Sequence, residues 1–271
     1  TVLDDASYAC LNYAMADYEK RGKEALGLCG LEGREQDYVW SLSGGQTHLL
    51  ALAGAVSLGP EVLILDEPIA QLDPGHADRI YGVLKELNEK HGKTILVIEH
   101  HTEYIADYCK HVVLMRDGKI AWKLPANEAL RRVGELQECN IFPPQVTLAA
   151  DGLRRKGALP WEQALPTTVE EGKAAFSPLS YMEKPAPPEA APRRQEEPAV
   201  EFRGVSVSYR SVKGEPRKIF EGLDLTIRRG DKVALIGSNG AGKSTLMKLM
   251  VGLLKPSEGE IFLNGDSIYR K

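Results

Sequence analysis

Apolar residues near the N-terminus follow the period of a helix. Ala6, Cys10 and Tyr13 recur at steps of three and four residues, so an amphipathic helix is predicted there. A second helix is predicted over about residues 20–29, before the turn 30–33. This first stretch is therefore a small helical region without evident chemistry.

Three segments, each with a continuous run of four apolar residues, predict buried strands, and the first is expected to be buried on both faces, as in a parallel sheet. They cover residues 62–65, 94–98 and 232–236. Pro74 is suited to the first turn of a helix that continues to about residue 90. Chain segments of this kind, strand and helix in alternation, predict an α/β fold.

Shorter alternating segments predict antiparallel strands. They lie around residues 111–115 and 119–122, which flank the turn 116–118, and at 199–209 and 223–227. Residues 259–265 are expected to form a hairpin arm.

From about residue 150 the pattern changes. Prolines recur through this part of the chain and are densest over 184–192, among charges of both signs. So much proline is incompatible with a continuous helix or sheet, so residues 151–198 are predicted to be an extended linker.

Composition narrows the class of protein. The chain has 271 residues, 43% hydrophobic and 27% charged, which is typical of a globular protein. The net charge of -4 shows no basic excess, so no nucleic-acid partner is expected. No apolar run is long enough to span a bilayer. The four cysteines lack paired spacing, which argues against zinc and against a disulfide framework.

The chemistry-bearing segment follows the apolar run 232–236. It fits G-x-x-x-x-G-K-[ST], and a predicted helix comes directly after it. Glycines there allow backbone N–H groups to point at phosphate oxygens, and the helix adds its positive end. The candidate nucleotide-binding residues are Gly237, Ser238, Asn239, Gly240, Ala241, Gly242, Lys243, Ser244 and Thr245. Lys243 is expected to reach the terminal phosphates, and the Ser244 hydroxyl to ligate Mg²⁺.

Polar residues also follow the two earlier apolar runs. Asp66 and Glu67 end the first, and His100 follows the second. The carboxyl ends of parallel strands are where α/β sheets bind ligands. Asp66 is a candidate for the Mg²⁺ shell, Glu67 for polarising a water, and His100 for contact with a γ-phosphate.

A further candidate precedes these runs. Ser43 is a good N-cap, and Gly44, Gly45 and Gln46 lead into an apolar helix whose N-terminus is open to an anion. Alone, this string is equally compatible with a plain capped turn.

Together, these motifs resemble the nucleotide-binding domain of ABC ATPases. Residues 42–46 match the family's signature sequence, and 62–66 its Walker B strand. Glu67 corresponds to the catalytic glutamate, residues 71–73, which include Asp73, to the D-loop, and His100 to the switch histidine. Residues 237–244 are the Walker A motif, and Tyr209 stands where the family stacks an aromatic ring on adenine.

The resemblance implies a P-loop NTPase fold with a mixed sheet, an antiparallel β arm and a small helical subdomain. The motifs stand in the order of two partial domains: residues 1–150 hold the C-terminal part of a first ABC ATPase domain, and 199–271 the N-terminal part of a second. In the family, two domains meet head to tail, so Ser43, Gly44 and Gly45 would face the ATP bound by Lys243. ATP and Mg²⁺ are the implied cofactors.

Three kinds of ABC ATPase remain open. The segments 97–101, 116–120 and 142–146 resemble the fused ATPases of energy-coupling-factor importers for vitamins or metal ions. These act with transmembrane subunits at the cytoplasmic face of the membrane. A tandem translation factor acting on ribosomes is the main alternative, although its usual linker is a charged helix. A DNA-repair or chromosome-structure ATPase is the third, but no heptads or paired cysteines support it.

Overall fold

The computed structural model describes residues 1–179, 197–209 and 216–269. The chain divides into two compact units, Thr1–Glu183 and Lys184–Lys271. Each unit has its own hydrophobic core.

The first unit begins with a helical layer. Thr1 caps the first helix through a capping box with Asp4, which fixes where this helix starts. Leu26 of the second helix and Leu49 and Leu50 of the third are almost fully buried in the shared core. The helices are α1 (Val2–Asn12), α2 (Tyr18–Leu28) and α3 (Gly44–Ser57), with a 3₁₀ turn at Val39–Ser41.

Two short sheets follow in the same unit. Strands β1 (Val62–Asp66) and β2 (Thr94–Ile98) pair in parallel and are connected by α4 (Pro74–Glu89). After α5 (Thr102–Tyr108), strands β3 (His111–Arg116) and β4 (Lys119–Pro125) form an antiparallel hairpin. Among the described residues, parallel and antiparallel pairs thus lie in separate sheets.

The expectation that β1 is buried on both faces and that β2 is a buried strand is wrong. In β1 only Leu63 is buried, whereas Val62 and Ile64 are 54% and 69% exposed. In β2, Leu96 and Ile98 are about half exposed. Helices cover one face of this two-stranded sheet, and the other face is exposed among the described residues of the first unit.

The expected linker differs from the structure over its first part. In the described part of the first unit four helices follow the hairpin, and the third, Gln145–Arg155, continues across residue 150. Residues of α7, α8 and the following segment share a small core with Leu159 and Leu165, so 151–179 folds onto the first unit. The helices are α6 (Ala126–Leu130), α7 (Val133–Glu138), α8 (Gln145–Arg155) and α9 (Val169–Phe176). Most of the remainder, 180–196, lies outside the described residues.

The described residues of the second unit form an antiparallel sheet and one helix. Its strands are ordered β6, β5, β7, β8, and the core lies between this sheet and the helix. Phe202, Leu249 and Ile261 are nearly inaccessible to solvent there. The elements are β5 (Pro198–Tyr209), β6 (Arg217–Arg228), α10 (Lys243–Met250), β7 (Glu258–Leu263) and β8 (Asp266–Ser267).

The buried strand predicted at 232–236 is absent. Residues 231–238 have no regular structure, and Val233, Leu235 and Ile236 are 58%, 44% and 88% exposed. An apolar run becomes a strand only where a neighbour satisfies its backbone hydrogen bonds. In the described part of the second unit, the strands pair with one another in the antiparallel sheet and none lies beside this segment.

Candidate functional site

Ser43 and Gln46 form a capping box at the start of α3. The Gln46 amide donates to Ser43 Oγ over 3.4 Å, and the Ser43 amide donates to Gln46 Oε1 over 3.0 Å. Two of the free donors of the helix N-terminus are thereby satisfied. The box fixes the local backbone with Gly44 and Gly45 as its first helical residues.

Gly45 lies directly against the ring of His76. A Cβ atom on Gly45 would overlap this ring, whereas a Cβ on Gly44 would meet nothing within 4 Å. His76 Nδ1 lies 2.9 Å from both carboxylate oxygens of Asp73, the N-cap of α4. His76 thus links the predicted D-loop residue to the 43–46 segment, a contact that sequence reasoning missed.

Asp66, Glu67 and His100 lie at the carboxyl end of the β1–β2 pair. Asp66 is paired with Ile98, and the Glu67 amide donates to the Ile98 carbonyl over 2.9 Å. His100 Nδ1 lies 3.6 Å from Glu67 Oε1, and both side chains are more than half exposed. The sheet therefore brings together the three residues that the sequence predicted.

Glu67 has an unusual backbone conformation. Its φ is 46°, in the left-handed region that residues other than glycine rarely adopt, and Gln71 has a φ of 64°. Such conformations cluster at functional sites, where surrounding structure holds them in place. Here the hydrogen bond to Ile98 holds the backbone of Glu67.

Glu99 was not predicted as a site residue, yet its carboxylate is the most enclosed group here. Its side chain is 1% exposed, and its oxygens accept from both histidine amides, from the His101 ring and from Tyr81. Burial raises the pKa of Glu99, but the hydrogen bonds from His101 and His100 lower it more, so that the pKa is below its usual value. Burial and the charge of Glu99 raise the pKa of Tyr81.

In the second unit, the loop 237–242 has the backbone of a phosphate cradle. Gly237, Gly240 and Gly242 have φ values of 155°, 81° and 97°, which only glycine adopts at little cost. Lys243 Nζ donates to the carbonyls of Gly237 and Ser238 over 2.6 and 2.8 Å, so the side chain folds back over the loop. An anion can compete for this ammonium group, because the contacts are to neutral carbonyls.

Two contacts anchor this loop to the rest of the unit. A Cβ on Gly242 would lie 2.8 Å from the Phe220 ring and 2.9 Å from Ile219, so β6 also requires glycine there. The Tyr209 hydroxyl lies 3.4 Å from Thr245 Oγ1, which joins the end of β5 to α10. The glycine-lined loop, the lysine and the exposed Ser244 hydroxyl fit a nucleotide phosphate and its cation.

The structure thus brings the predicted residues together in three groups. Ser43, Gly44, Gly45 and Gln46 join Asp73 through His76 in the first unit, and Asp66, Glu67 and His100 form a second group there. The loop 237–245 and Tyr209 form the third group, in the second unit. The two predicted Mg²⁺ ligands, Asp66 and Ser244, belong to different units.

Comparisons with known proteins agree with these motifs. The family model described as "ABC transporter" matches residues 3–70 and 220–271. These ranges include the capping box, Asp66, Glu67 and the phosphate cradle. No helix in the described ranges has the length and apolar character needed to cross a membrane.

Relatives from several organisms match along the whole chain. One from Methanosarcina mazei is 30% identical over 285 residues, and one from Bacillus thuringiensis subsp. konkukian is 32% identical over 276 residues. Each alignment covers 100% of this chain and 47% of the relative, and both relatives are named "Putative ABC transporter ATP-binding protein". The chain therefore spans about half the length of these curated relatives.

A solved structure, cbiO1 from Clostridium perfringens, described as part of the ABC transporter complex cbiONQ, is 30% identical. The match covers 52% of this chain and 57% of that chain, with a TM-score of 0.45.

Proposed function

Because the chain belongs to the ABC transporter ATPases, we propose that it binds and hydrolyses ATP to drive transport across a membrane. The observation that carries this proposal is the phosphate cradle at 237–242, with Lys243 folded over it. Both features lie within the second unit and within the part of the chain that the family model matches.

Each group of residues then has a role. The amides of the cradle and Lys243 bind the phosphates, and Tyr209 stacks on adenine. Glu67 orients the attacking water, and His100 contacts the terminal phosphate. Ser244 would hold Mg²⁺ at the cradle. Asp66, together with Glu67 and His100, would serve the opposite nucleotide site of a head-to-tail pair of domains, where Asp66 would hold the Mg²⁺ of that nucleotide. The ion neutralises phosphate charge when bound. Ser43, Gly44, Gly45, Gln46 and Asp73 line the opposite side of a nucleotide in a head-to-tail pair of domains.

The finer proposal concerns the transporter. We infer an importer of the energy-coupling-factor kind, for vitamins or metal ions, acting with transmembrane subunits at the cytoplasmic face of the membrane. Its support is the resemblance of the segments 97–101, 116–120 and 142–146. The two relatives described above are named for transport, and they give no support to an action on ribosomes.

Nucleotide binding and Mg·ATP hydrolysis by the chain test the catalytic proposal. We expect Lys243→Ala to weaken binding by about 10- to 100-fold, because it removes a charge-assisted contact to phosphate. Lys248→Ala removes the same charge from an exposed position of the same helix and should leave binding unchanged. Equal affinities of the two variants would refute the cradle as the binding site.

Hydrolysis then identifies the role of Glu67. Where the wild type turns over, Glu67→Gln should retain binding and lose hydrolysis by about 100-fold or more, since the amide cannot polarise the water. Glu89→Gln, at an exposed position late in α4, is the matched control. If Glu67→Gln hydrolyses ATP as the wild type does, another residue orients the water.

The importer proposal is tested with the complete protein. Coexpressed with its transmembrane subunits, it should remain with washed membranes, and its ATPase rate should change when a vitamin or metal ion is supplied. Retention on ribosomes instead of membranes would contradict the proposal.

A further inference from the structure

The segment after β2 is built around one buried carboxylate. The Glu99 side chain is 1% exposed, while those of His100 and His101 are 60% and 45% exposed. Oε1 of Glu99 accepts the amide of His100 over 2.8 Å, the amide of His101 over 3.0 Å and Nδ1 of His101 over 2.7 Å. One oxygen therefore fixes two successive peptide units and one ring.

The other oxygen connects this carboxylate to α4. Oε2 accepts the Tyr81 hydroxyl over 3.3 Å. Tyr81 is 1% exposed, and its ring stacks on those of Tyr104 and Tyr108 of α5, with centroids 4.9 and 5.0 Å away. The tyrosine stack leaves Tyr81 little freedom to move. Both oxygens of the Glu99 carboxylate are therefore fixed by hydrogen bonds.

We propose that Glu99 is a positioning residue for His100, holding the backbone from which this histidine reaches the terminal phosphate. The role of His100 in this inference rests on the proposed function. The hydrogen bonds by which Glu99 holds the His100 backbone do not depend on it. The carboxylate does not touch the reacting atoms. By fixing the backbone of His100, it determines the position of the His100 ring. Nδ1 of this ring lies 3.6 Å from Glu67 Oε1 at the end of the same sheet.

A metal site is the competing explanation. Glu99, His100 and His101 offer ligand atoms that all lie within 4.8 Å of one another. However, Oε1 of Glu99 already accepts three hydrogen bonds, and the His101 nitrogen nearest to it donates one of them. A cation bound to Oε1 would compete with these donors, and ligation by His101 Nδ1 would require this nitrogen to lose its proton and its hydrogen bond, so the hydrogen-bonded arrangement is favoured.

Amide exchange followed by NMR on the full chain tests the geometry. Glu99→Ala should speed exchange of the His100 and His101 amides by about tenfold or more, because hydrogen bonds to a charged acceptor are lost. Glu99→Gln retains a neutral acceptor and should give a smaller increase. Tyr81→Phe, which retains the ring stack, should give the smallest increase in the exchange rate of these amides. Glu89→Gln should leave the exchange rate unchanged.

The His101 ring supplies a second readout. In the wild type its neutral form should carry the proton on Nδ1, which donates to Glu99. In Glu99→Ala the proton should move to Nε2, as seen in long-range proton–nitrogen spectra. Unchanged exchange and an unchanged tautomer in both Glu99 variants would overturn the proposal. Binding of Zn²⁺ that shifts both rings and is lost in Glu99→Gln would overturn it in favour of the metal site.

Steady-state hydrolysis by the complete protein tests the consequence. We expect Glu99→Gln to lower kcat by about tenfold with little change in the KM for ATP, since binding depends on other residues. An unchanged kcat with faster amide exchange would overturn the positioning role. A His100→Ala variant with wild-type kcat would instead refute the role proposed for His100. The exchange data would still show whether Glu99 fixes the backbone amides of His100 and His101.

Discussion

At the scale of single residues, the two adjacent glycines of the 43–46 segment have contrasting surroundings. Gly44 is exposed, whereas Gly45 is buried beneath the His76 ring, which Asp73 holds from the other side. The need for glycine at 45 therefore arises from a residue 31 positions away in the sequence. Side-chain contact, not backbone conformation, imposes it, because neither glycine has a positive φ.

We expect Gly45→Ala to lower the free energy of unfolding by about 1–3 kcal/mol, because the new methyl group must displace the ring. Gly44→Ala, one position earlier, should change it by less than about 0.5 kcal/mol. Thermal or denaturant unfolding of both variants measures the difference. Adding His76→Ala to Gly45→Ala should recover part of the loss, and additive effects of these two substitutions would contradict the contact.

At the scale of elements, β1 is a strand with one covered face. Leu63 points into the core formed with the helices and is 6% exposed, and Ile64, on the opposite face, is 69% exposed. The run 62–65 is apolar throughout, so the sequence alone does not distinguish its two faces. The same holds for β2, where alternate residues are exposed.

Paired substitutions measure this difference. Leu63→Ala should destabilise the first unit by about 2–5 kcal/mol, since it opens a cavity in a packed core. Ile64→Ala should cost less than about 0.5 kcal/mol, because its side chain already contacts solvent. Similar losses at the two positions, measured by urea unfolding, would show that both faces are covered in the protein.

At the scale of the whole molecule, the predicted chemistry is divided between two compact units. The cradle, Lys243 and Tyr209 lie in the second unit, and Glu67, His100 and the 43–46 segment lie in the first. The two units have separate hydrophobic cores. Nucleotide bound at the cradle should therefore stabilise the second unit directly.

Hydrogen exchange followed by mass spectrometry tests this division. At a Mg·ATP concentration of about 100 Kd, bound nucleotide stabilises its site by about 2.7 kcal/mol, which slows exchange by about 100-fold. We expect this protection in the cradle and α10, with no change in α1 and α2. Lys243→Ala should remove it. Protection of α1 and α2 that persists in Lys243→Ala would place the nucleotide elsewhere.

The sequence by itself determined the features that depend on neighbouring residues. The capping box of Ser43 and Gln46, the start of α4 at Pro74 and the glycines of the cradle were all predictable, because their causes lie within a few positions along the chain. The position of Asp66, Glu67 and His100 after strands of a parallel sheet was also expected, and the pairing of β1 with β2 brings the three residues together.

Only the tertiary structure decided which apolar surfaces are covered and which polar groups are enclosed. In the structure the run 232–236 is exposed, and residues 151–179 fold onto the first unit. The His76 ring lies against Gly45, and the Glu99 carboxylate is buried. The sequence shows which positions are apolar and with what period they recur. Whether such a residue is buried depends on the element that packs against it. His76 lies 31 residues from Gly45, and Tyr81 lies 18 residues from Glu99, so the sequence around Gly45 or Glu99 carries no signal for these partners.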